Sequence, residues 1–240
     1  MYNKYLNLSI LQTRPAQPEE NMAEDTRLLA ALDPEGPPLL HLYEWASPSA
    51  TYGHFIDPKV HLNLEAAARC GLKLARKPTG GGIVFHIWDL AFSFLMPAKH
   101  PLCSEKTLDN YHFVNQAVLD ALEDLLPNRT SAALLSEHTP TPSFCMARAT
   151  IYDVLYGGKK IAGAAQRRTK NGYLHQGSIS LVFPDLQLLK ELLVMKDEII
   201  AAMMDSTCAL SMQNGDFKDL APLRKEVQER LKHRFNKLFS

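Results

Sequence analysis

The sequence predicts an α+β fold, and three observations carry that reading. β-Rich runs with turn residues between them fill residues 39–96 and again 151–182, a long amphipathic helix separates the two blocks, and the last third of the chain carries helical spacing. Runs rich in β-branched and aromatic residues, bounded by Gly, Pro, Asn and Asp, mark strands; apolar recurrence every three to four residues marks helices.

Taken in order, Asn21 to Leu32 places Met22, Leu28, Leu29 and Leu32 at helical spacing, and the breaker Asp33-Pro34-Glu35-Gly36-Pro37-Pro38 ends that helix. Leu39–Trp45 and Ala50–Gly53 then read as two strands joined by a turn at Ser47-Pro48-Ser49, and His61–Cys70 as a short helix ending near Gly71. Leu72–Arg76 leads into a glycine triplet, and Ile83–His86 and Leu90–Met96 leave it as short strands separated by Ile87-Trp88-Asp89. The long helix spans Thr107–Leu126, with Tyr111, Val114, Val118, Ala121, Leu122 and Leu125 on one stripe. Ser, Thr and Pro between Pro127 and Pro142 predict a mobile loop, which leads to Cys145. Ile151–Tyr156, a turn at Gly157-Gly158 and Lys160–Ala165 form a predicted hairpin; Asn171-Gly172 turns the chain into a third strand, Tyr173–Val182. Helices over Leu186–Met195 and Asp216–Phe239 complete the chain, the latter with Leu220, Leu223, Val227, Leu231, Phe235 and Leu238 on one face.

Composition narrows the function classes. An apolar fraction of 46% over 240 residues is enough for a sizeable core. Acidic and basic residues balance at 26 each, so no net field draws the chain to nucleic acid or an anionic membrane, and neither is expected as a partner. No apolar run is long enough to span a bilayer, and Met1-Tyr2-Asn3-Lys4-Tyr5 lacks a signal-peptide pattern, so a cytoplasmic protein is expected. Cys70, Cys103, Cys145 and Cys208 are scattered, without C-x-x-C or zinc-finger spacing; this suggests neither a disulfide framework nor a metal site.

The chemistry concentrates in two segments, Arg76-Lys77-Pro78-Thr79-Gly80-Gly81-Gly82-Ile83-Val84-Phe85-His86 and Gly157-Gly158-Lys159-Lys160-Ile161-Ala162-Gly163. Glycine-rich backbone admits a ligand without Cβ atoms in the way, its successive N–H groups cup an anion, and a lysine adds a mobile point charge. Together they read as a site for a phosphate or a carboxylate. Alone, Gly157-Gly158 reads as a hairpin turn, Lys159 as a solvated edge residue, and His86 equally as a hydrogen-bonded core histidine. Rossmann and P-loop spacings, a G-x-S-x-G elbow and H-E-x-x-H are all missing from the sequence, and Arg167-Arg168 with Lys170 reads as a solvated turn.

The first segment resembles the R-R-x-[ST]-G-G-G-x-V-x-H-D motif of lipoate-protein ligases, and Gly158 to Arg168 resembles their G-[RK]-K-[IV]-[SAG]-G-[SA]-A segment. Leu174-His175-Gln176-Gly177-Ser178-Ile179 is similar to the third motif, [LF]-x-H-G-[ST]-[IL], in the same order. The resemblance covers roughly residues 20–195. It implies the catalytic-domain fold of biotin and lipoate protein ligases and octanoyltransferases, a mixed and largely antiparallel sheet with packed helices, as one catalytic domain over 1–240 with a helical segment from about 196. The implied activity is attachment of lipoate or octanoate, through an acyl-adenylate made from ATP with Mg²⁺, to a lysine on lipoyl domains of 2-oxoacid dehydrogenases or glycine-cleavage H protein.

Carried over residue by residue, Lys160 matches the family lysine that bridges carboxyl and phosphate oxygens. Arg76, Lys77, Thr79, Gly80, Gly81, Gly82 and His86 match the ligand loop; Gly163, Ala164 and Ala165 leave room for nucleotide or acyl group, and His175 and Gly177 match the third strand. Lys77 stands for an arginine, Ile87 for the motif's aspartate and Gln176 for a histidine of many ligases. Cys145 precedes Tyr152-Asp153 by the spacing of a nucleophilic cysteine in some octanoyltransferases of this fold. The alternative is therefore an octanoyltransferase that takes its acyl group from acyl carrier protein onto Cys145, without ATP. A noncatalytic acyl-binding module is a second alternative.

Overall fold

The structure, a computed structural model, describes residues 7–136, 150–214 and 219–240. Its centre is a seven-stranded sheet in the order β1 (Ser9–Gln12), β2 (Leu39–Leu42), β6 (Asp89–Pro97), β10 (Gly172–Ser180), β9 (Lys159–Thr169), β8 (Val154–Tyr156) and β7 (Ala132–Leu134). Only β1 and β2 run parallel within it. A three-stranded sheet, β4 (Lys73–Arg76), β3 (Ser49–Tyr52) and β5 (Ile83–His86), packs alongside, and β11 (Val182–Phe183) pairs with β12 (Ser211–Asn214). This is the mixed, largely antiparallel arrangement that the sequence led us to expect.

β6 is buried over its whole length, so its two faces can be assigned from what they touch. Leu90, Phe92, Phe94 and Met96 join a core with α3 (Thr107–Leu122) and α6 (Ala221–Leu238), through Val114, Val118, Val227, Leu231 and Phe235. Ala91, Ser93 and Leu95 face the other way, toward α1 (Pro18–Ala31), whose Met22 and Leu29 cover that side. A strand buried on both faces reads as a continuous apolar run. Each fully buried Leu or Phe side chain contributes about 1.5–3 kcal/mol. A further core joins the small sheet to α2 (Leu64–Arg69), α4 (Leu186–Leu192) and α5 (Lys196–Ser206).

Several sequence-based bounds change. The strands on either side of Ser47-Pro48-Ser49 exist, but they belong to different sheets. β1, β7, α5 and β12 have no counterpart in the sequence reading. The helix predicted over 186–195 stops at Leu192, because Leu193 leaves helical geometry with ψ at 138°, and the last helix begins at Ala221, with a proline in its first turn. The hairpin turn is confirmed at Gly157 and Gly158, with φ of 58° and 77°, the left-handed conformations that a tight hairpin needs. Among the described residues no helix is long and apolar enough to cross a membrane.

Candidate active site

A cleft of about 900 Å³, part of it open to solvent, lies on the α1 side of the large sheet and reaches across to the small sheet. Val84, Phe85, Trp88, Ala91 and Val182 give it apolar walls; Lys77, His86, Asp89, Lys160 and Ser178 place polar groups on it. That is the usual composition of a small-molecule site, apolar walls with a few orienting groups.

A bulge in β9 sets the position of Lys160. Leu155 pairs with Lys160 but Val154 pairs with Ala162, so Ile161 is an extra residue in the ladder. Ile161 and Ala162 both enter the α3/α6 core, and the alternation beyond them slips by one. Lys160 and Gly163 therefore share the cleft face. A Cβ on Gly163 would come within 2.5 Å of the Lys160 ammonium and 3.0 Å of Asp153 Oδ1, so only glycine leaves room for the lysine to fold back. Lys160 Nζ lies 2.7 Å from Asp153 Oδ2, and Asp153 is 2% exposed. The same oxygen accepts the Thr150 amide at 2.6 Å and its hydroxyl at 3.0 Å. The amide of Cys208 donates to the Lys160 carbonyl, so the segment after α5 pins the strand.

His86 is fixed on both sides. Its Nε2 lies 2.9 Å from Thr51 Oγ1 and its Nδ1 lies 2.8 Å from Asp89 Oδ2. Its ring stacks on Trp45 with centroids 4.2 Å apart. The Ser178 hydroxyl donates to the same Asp89 oxygen at 2.6 Å. Ser178 is the cross-strand partner of both Gly163 and Ala91, so this row crosses the cleft floor from Lys160 toward His86.

A second buried network holds the wall beneath α1. The Thr79 hydroxyl donates to Gln176 Oε1 at 2.7 Å, and Gln176 Nε2 donates to Asp25 Oδ2 at 2.7 Å. Asp25 also accepts the Ser93 hydroxyl at 2.6 Å and meets His41 Nδ1 at 2.8 Å, with both side chains of that pair fully buried. Buried polar groups persist where they are mutually satisfied, and this chain ties the loop before the glycine triplet to α1, β2 and β6. Burial and the nearby Asp25 charge push the Tyr43 phenol well up.

The sequence-predicted residues separate on this map. Lys77, His86, Lys160, Gly163, Ala164, Ala165 and Gly177 line the cleft. Arg76 instead donates to the His54 carbonyl and lies over the Tyr52 ring at 5.3 Å, while Thr79 serves the buried network. Gly80, Gly81 and Gly82 stand beside the cleft without lining it. Their loop is packed against Gly53, where a Cβ would overlap the Gly81 carbonyl oxygen. His175 is a correction: β10 alternation turns it to the α3/α6 face, fully buried, with Gln166 Nε2 at 2.9 Å and the rings of Phe92 and Tyr111 around it. Desolvation pulls its pKa down from 6.5 to about 3, so it is a neutral core histidine. Cys145 lies outside the described residues. Of the other thiols, burial pushes Cys208 up to about 11 and raises Cys103, the reverse of an activated nucleophile.

Sequence reasoning did not single out Asp25, Asp89, Asp153 or Ser178 as site residues. Two of them had a signal. Asp25 interrupts the Met22–Leu29 stripe, and Asp89 opens an otherwise apolar strand; a carboxylate in either context needs partners.

Comparison with known proteins shows the family. The profile of the lipoyl protein ligase A/B catalytic domain matches residues 17–235. The chain is 31% identical over 188 residues to octanoyltransferase LipM of Lysinibacillus sphaericus, covering 75% of this chain and 67% of the relative. It is 31% identical over 200 residues to octanoyltransferase LipM of Brevibacillus brevis, covering 80% and 72%. A solved structure of a bipartite lipoate protein ligase and its E2 lipoyl domain from Thermoplasma acidophilum shares the fold at a TM-score of 0.70 and 24% identity, over 96% of this chain and 82% of that one. The chain is an enzyme of the lipoate ligase and transferase class and belongs to the lipoyl protein ligase A/B catalytic domain family.

Proposed function

We propose that this enzyme transfers an octanoyl group from a thioester of acyl carrier protein to the ε-amine of a lysine on a lipoyl domain, with Cys145 as the nucleophile. The observation that carries the choice of a thioester over an adenylate is the 31% identity to octanoyltransferases across three-quarters of the chain. The likeness to solved ligases is one of fold.

In this reading the Cys145 thiolate attacks the thioester carbonyl, the carrier thiol leaves, and the octanoyl group rests on Cys145 as a new thioester. The acceptor lysine then attacks that carbonyl, forming the amide and releasing the cysteine. Both steps pass through an oxyanion. Lys160 is the residue to stabilise it, because Asp153 holds its ammonium at the cleft before substrate arrives; a preplaced charge of this kind contributes about 3–4 kcal/mol to an acyl transfer. The apolar walls suit a saturated chain, with each buried methylene contributing about 0.8 kcal/mol. Lipoyl domains of 2-oxoacid dehydrogenases and glycine-cleavage H protein are the acceptors proposed.

The glycine triplet resembles the ligase motif and favours a second reading, in which lipoate or octanoate is activated by ATP and Mg²⁺ at the same cleft. Incubating the protein with an apo lipoyl domain and either octanoyl acyl carrier protein, or lipoate with ATP and Mg²⁺, separates the two by the mass of the domain. We expect modification from the thioester, abolished by Cys145→Ser. Modification from lipoate and ATP that survives Cys145→Ser would establish the ligase instead.

A further inference from the structure

Asp89 is 5% exposed, and its two carboxylate oxygens are used unequally. Oδ2 takes both His86 Nδ1 and the Ser178 hydroxyl, whereas Oδ1 is buried and has no hydrogen-bond partner among the described residues. An unpaired buried carboxylate oxygen costs several kcal/mol unless a donor reaches it. Asp89 lines the cleft that carries Lys160, and it also lines a second cavity of about 710 Å³ bounded by Glu44, Trp45, Ser47 and Arg224. Tyr43, His86, Asp89 and Ala91 are common to both cavities, so the carboxylate stands where they meet.

The reaction proposed above brings a donor of just this sort. A free lysine amine has a pKa near 10.4, so at neutral pH it arrives as ammonium and cannot attack until a proton leaves. We infer that Asp89 receives the acceptor lysine through Oδ1 and takes that proton, as general base of the second half-reaction; the inference rests on the octanoyl-transfer reading. The neutral amine attacks the thioester carbonyl on Cys145, and the C–N bond forms as the C–S bond breaks. The nitrogen's second proton passes to the departing sulfur, and Asp89 releases the first to solvent. His86 and Ser178 occupy Oδ2, which leaves Oδ1 for the incoming group. The other charged or titratable groups around it are Lys77, Lys160 and Tyr43 on the cleft, Glu44 on the second cavity, and Arg224, whose guanidinium donates to the carbonyls of Ile87 and Asp89.

The test separates two nucleophiles. Wild-type and Asp89→Asn proteins are loaded with octanoyl acyl carrier protein, and the acyl-enzyme is then given either an apo lipoyl domain or hydroxylamine, which is already neutral at pH 7. Loss of a general base predicts a fall of about 10²–10⁴-fold in transfer to the lysine, with hydroxylamine cleavage retained. Equal losses with both nucleophiles, or wild-type transfer to the lysine by Asp89→Asn, would overturn the assignment. The wild-type protein gives a second measurement that needs no variant to fold. With a base present, transfer rises much less than tenfold per pH unit between pH 7 and 9; a full tenfold rise per unit, the behaviour of an unassisted amine, would refute the role. Wild-type protein that moves no acyl group from either donor would instead overturn the transfer reading, and this step with it.

Discussion

Gly163→Ala isolates the contribution of Lys160 without removing the lysine. The new methyl would stand within 2.5 Å of the ammonium and 3.0 Å of Asp153 Oδ1. The obstructing atoms are the far end of a flexible side chain, so the backbone need not move; the ammonium must instead retreat by about 1 Å to reach ordinary contact, and a misplacement of that size at a reacting centre costs about 100-fold in rate. The fold should tolerate the change. Gly163 is absent from the positive-φ glycines, and alanine at a compatible position gains about 0.4–1 kcal/mol from the unfolded state. That gain offsets part of the weakened Lys160–Asp153 pair, so the melting temperature is expected to stay within about 4 °C of wild type. Octanoyl transfer to an apo lipoyl domain, followed by mass, and thermal unfolding measure the two effects. Wild-type transfer by Gly163→Ala would refute the placement of Lys160 as the working charge, and a fall of more than about 10 °C would show that the bulge was misread.

The buried histidine predicts acid sensitivity. His175 titrates near 3 when folded and near 6.5 when unfolded, so the unfolded chain binds the extra proton between those values; stability is full above pH 6.5 and declines as pH falls, by about 2 kcal/mol at pH 5. Urea unfolding of His175→Phe should lack that portion of the decline between pH 7 and 5, and an unchanged decline would contradict the assignment. Asp25→Ala orphans His41, Ser93 and Gln176 together and should destabilise by about 3–5 kcal/mol; a urea midpoint at the wild-type value would show the network to be dispensable. Gly53→Ala drives a methyl into the backbone of the triplet loop, with about 1–3 kcal/mol lost. It should impair transfer as well, and a variant equal to wild type in both stability and rate would deny the loop its packing role.

How far the sequence reveals the site depends on whether each feature is local. The Gly157-Gly158 turn was legible because a tight hairpin demands positive φ at both positions. The α3 stripe and the apolar run of β6 were legible because their burial imprints a period or a continuous block. Lys160 was legible through its motif, but the reason it reaches the cleft was not: the bulge is a property of pairing between β8 and β9, and no residue in β9 announces it. β1 is exposed over most of its length and is a strand only because β2 offers an edge, so it lacks alternation to read. His175 shows the limit of a motif. It sits in the expected segment, yet the pleat turns it from the cleft while Gln176 and Ser178, further along the same strand, face α1 and the cleft. Asp89 illustrates the opposite case, a site residue two positions beyond the motif place that Ile87 fills, with the carboxylate bonded to His86.

In the proposed reaction the acyl group passes through a thioester on the enzyme. Exposing the protein to octanoyl acyl carrier protein without an acceptor, then measuring the mass of the intact chain and of its peptides, tests this most directly. One octanoyl group is expected on the Cys145 peptide, lost on addition of an apo lipoyl domain and absent from Cys145→Ser. An unmodified chain that nevertheless octanoylates the lipoyl domain would contradict it.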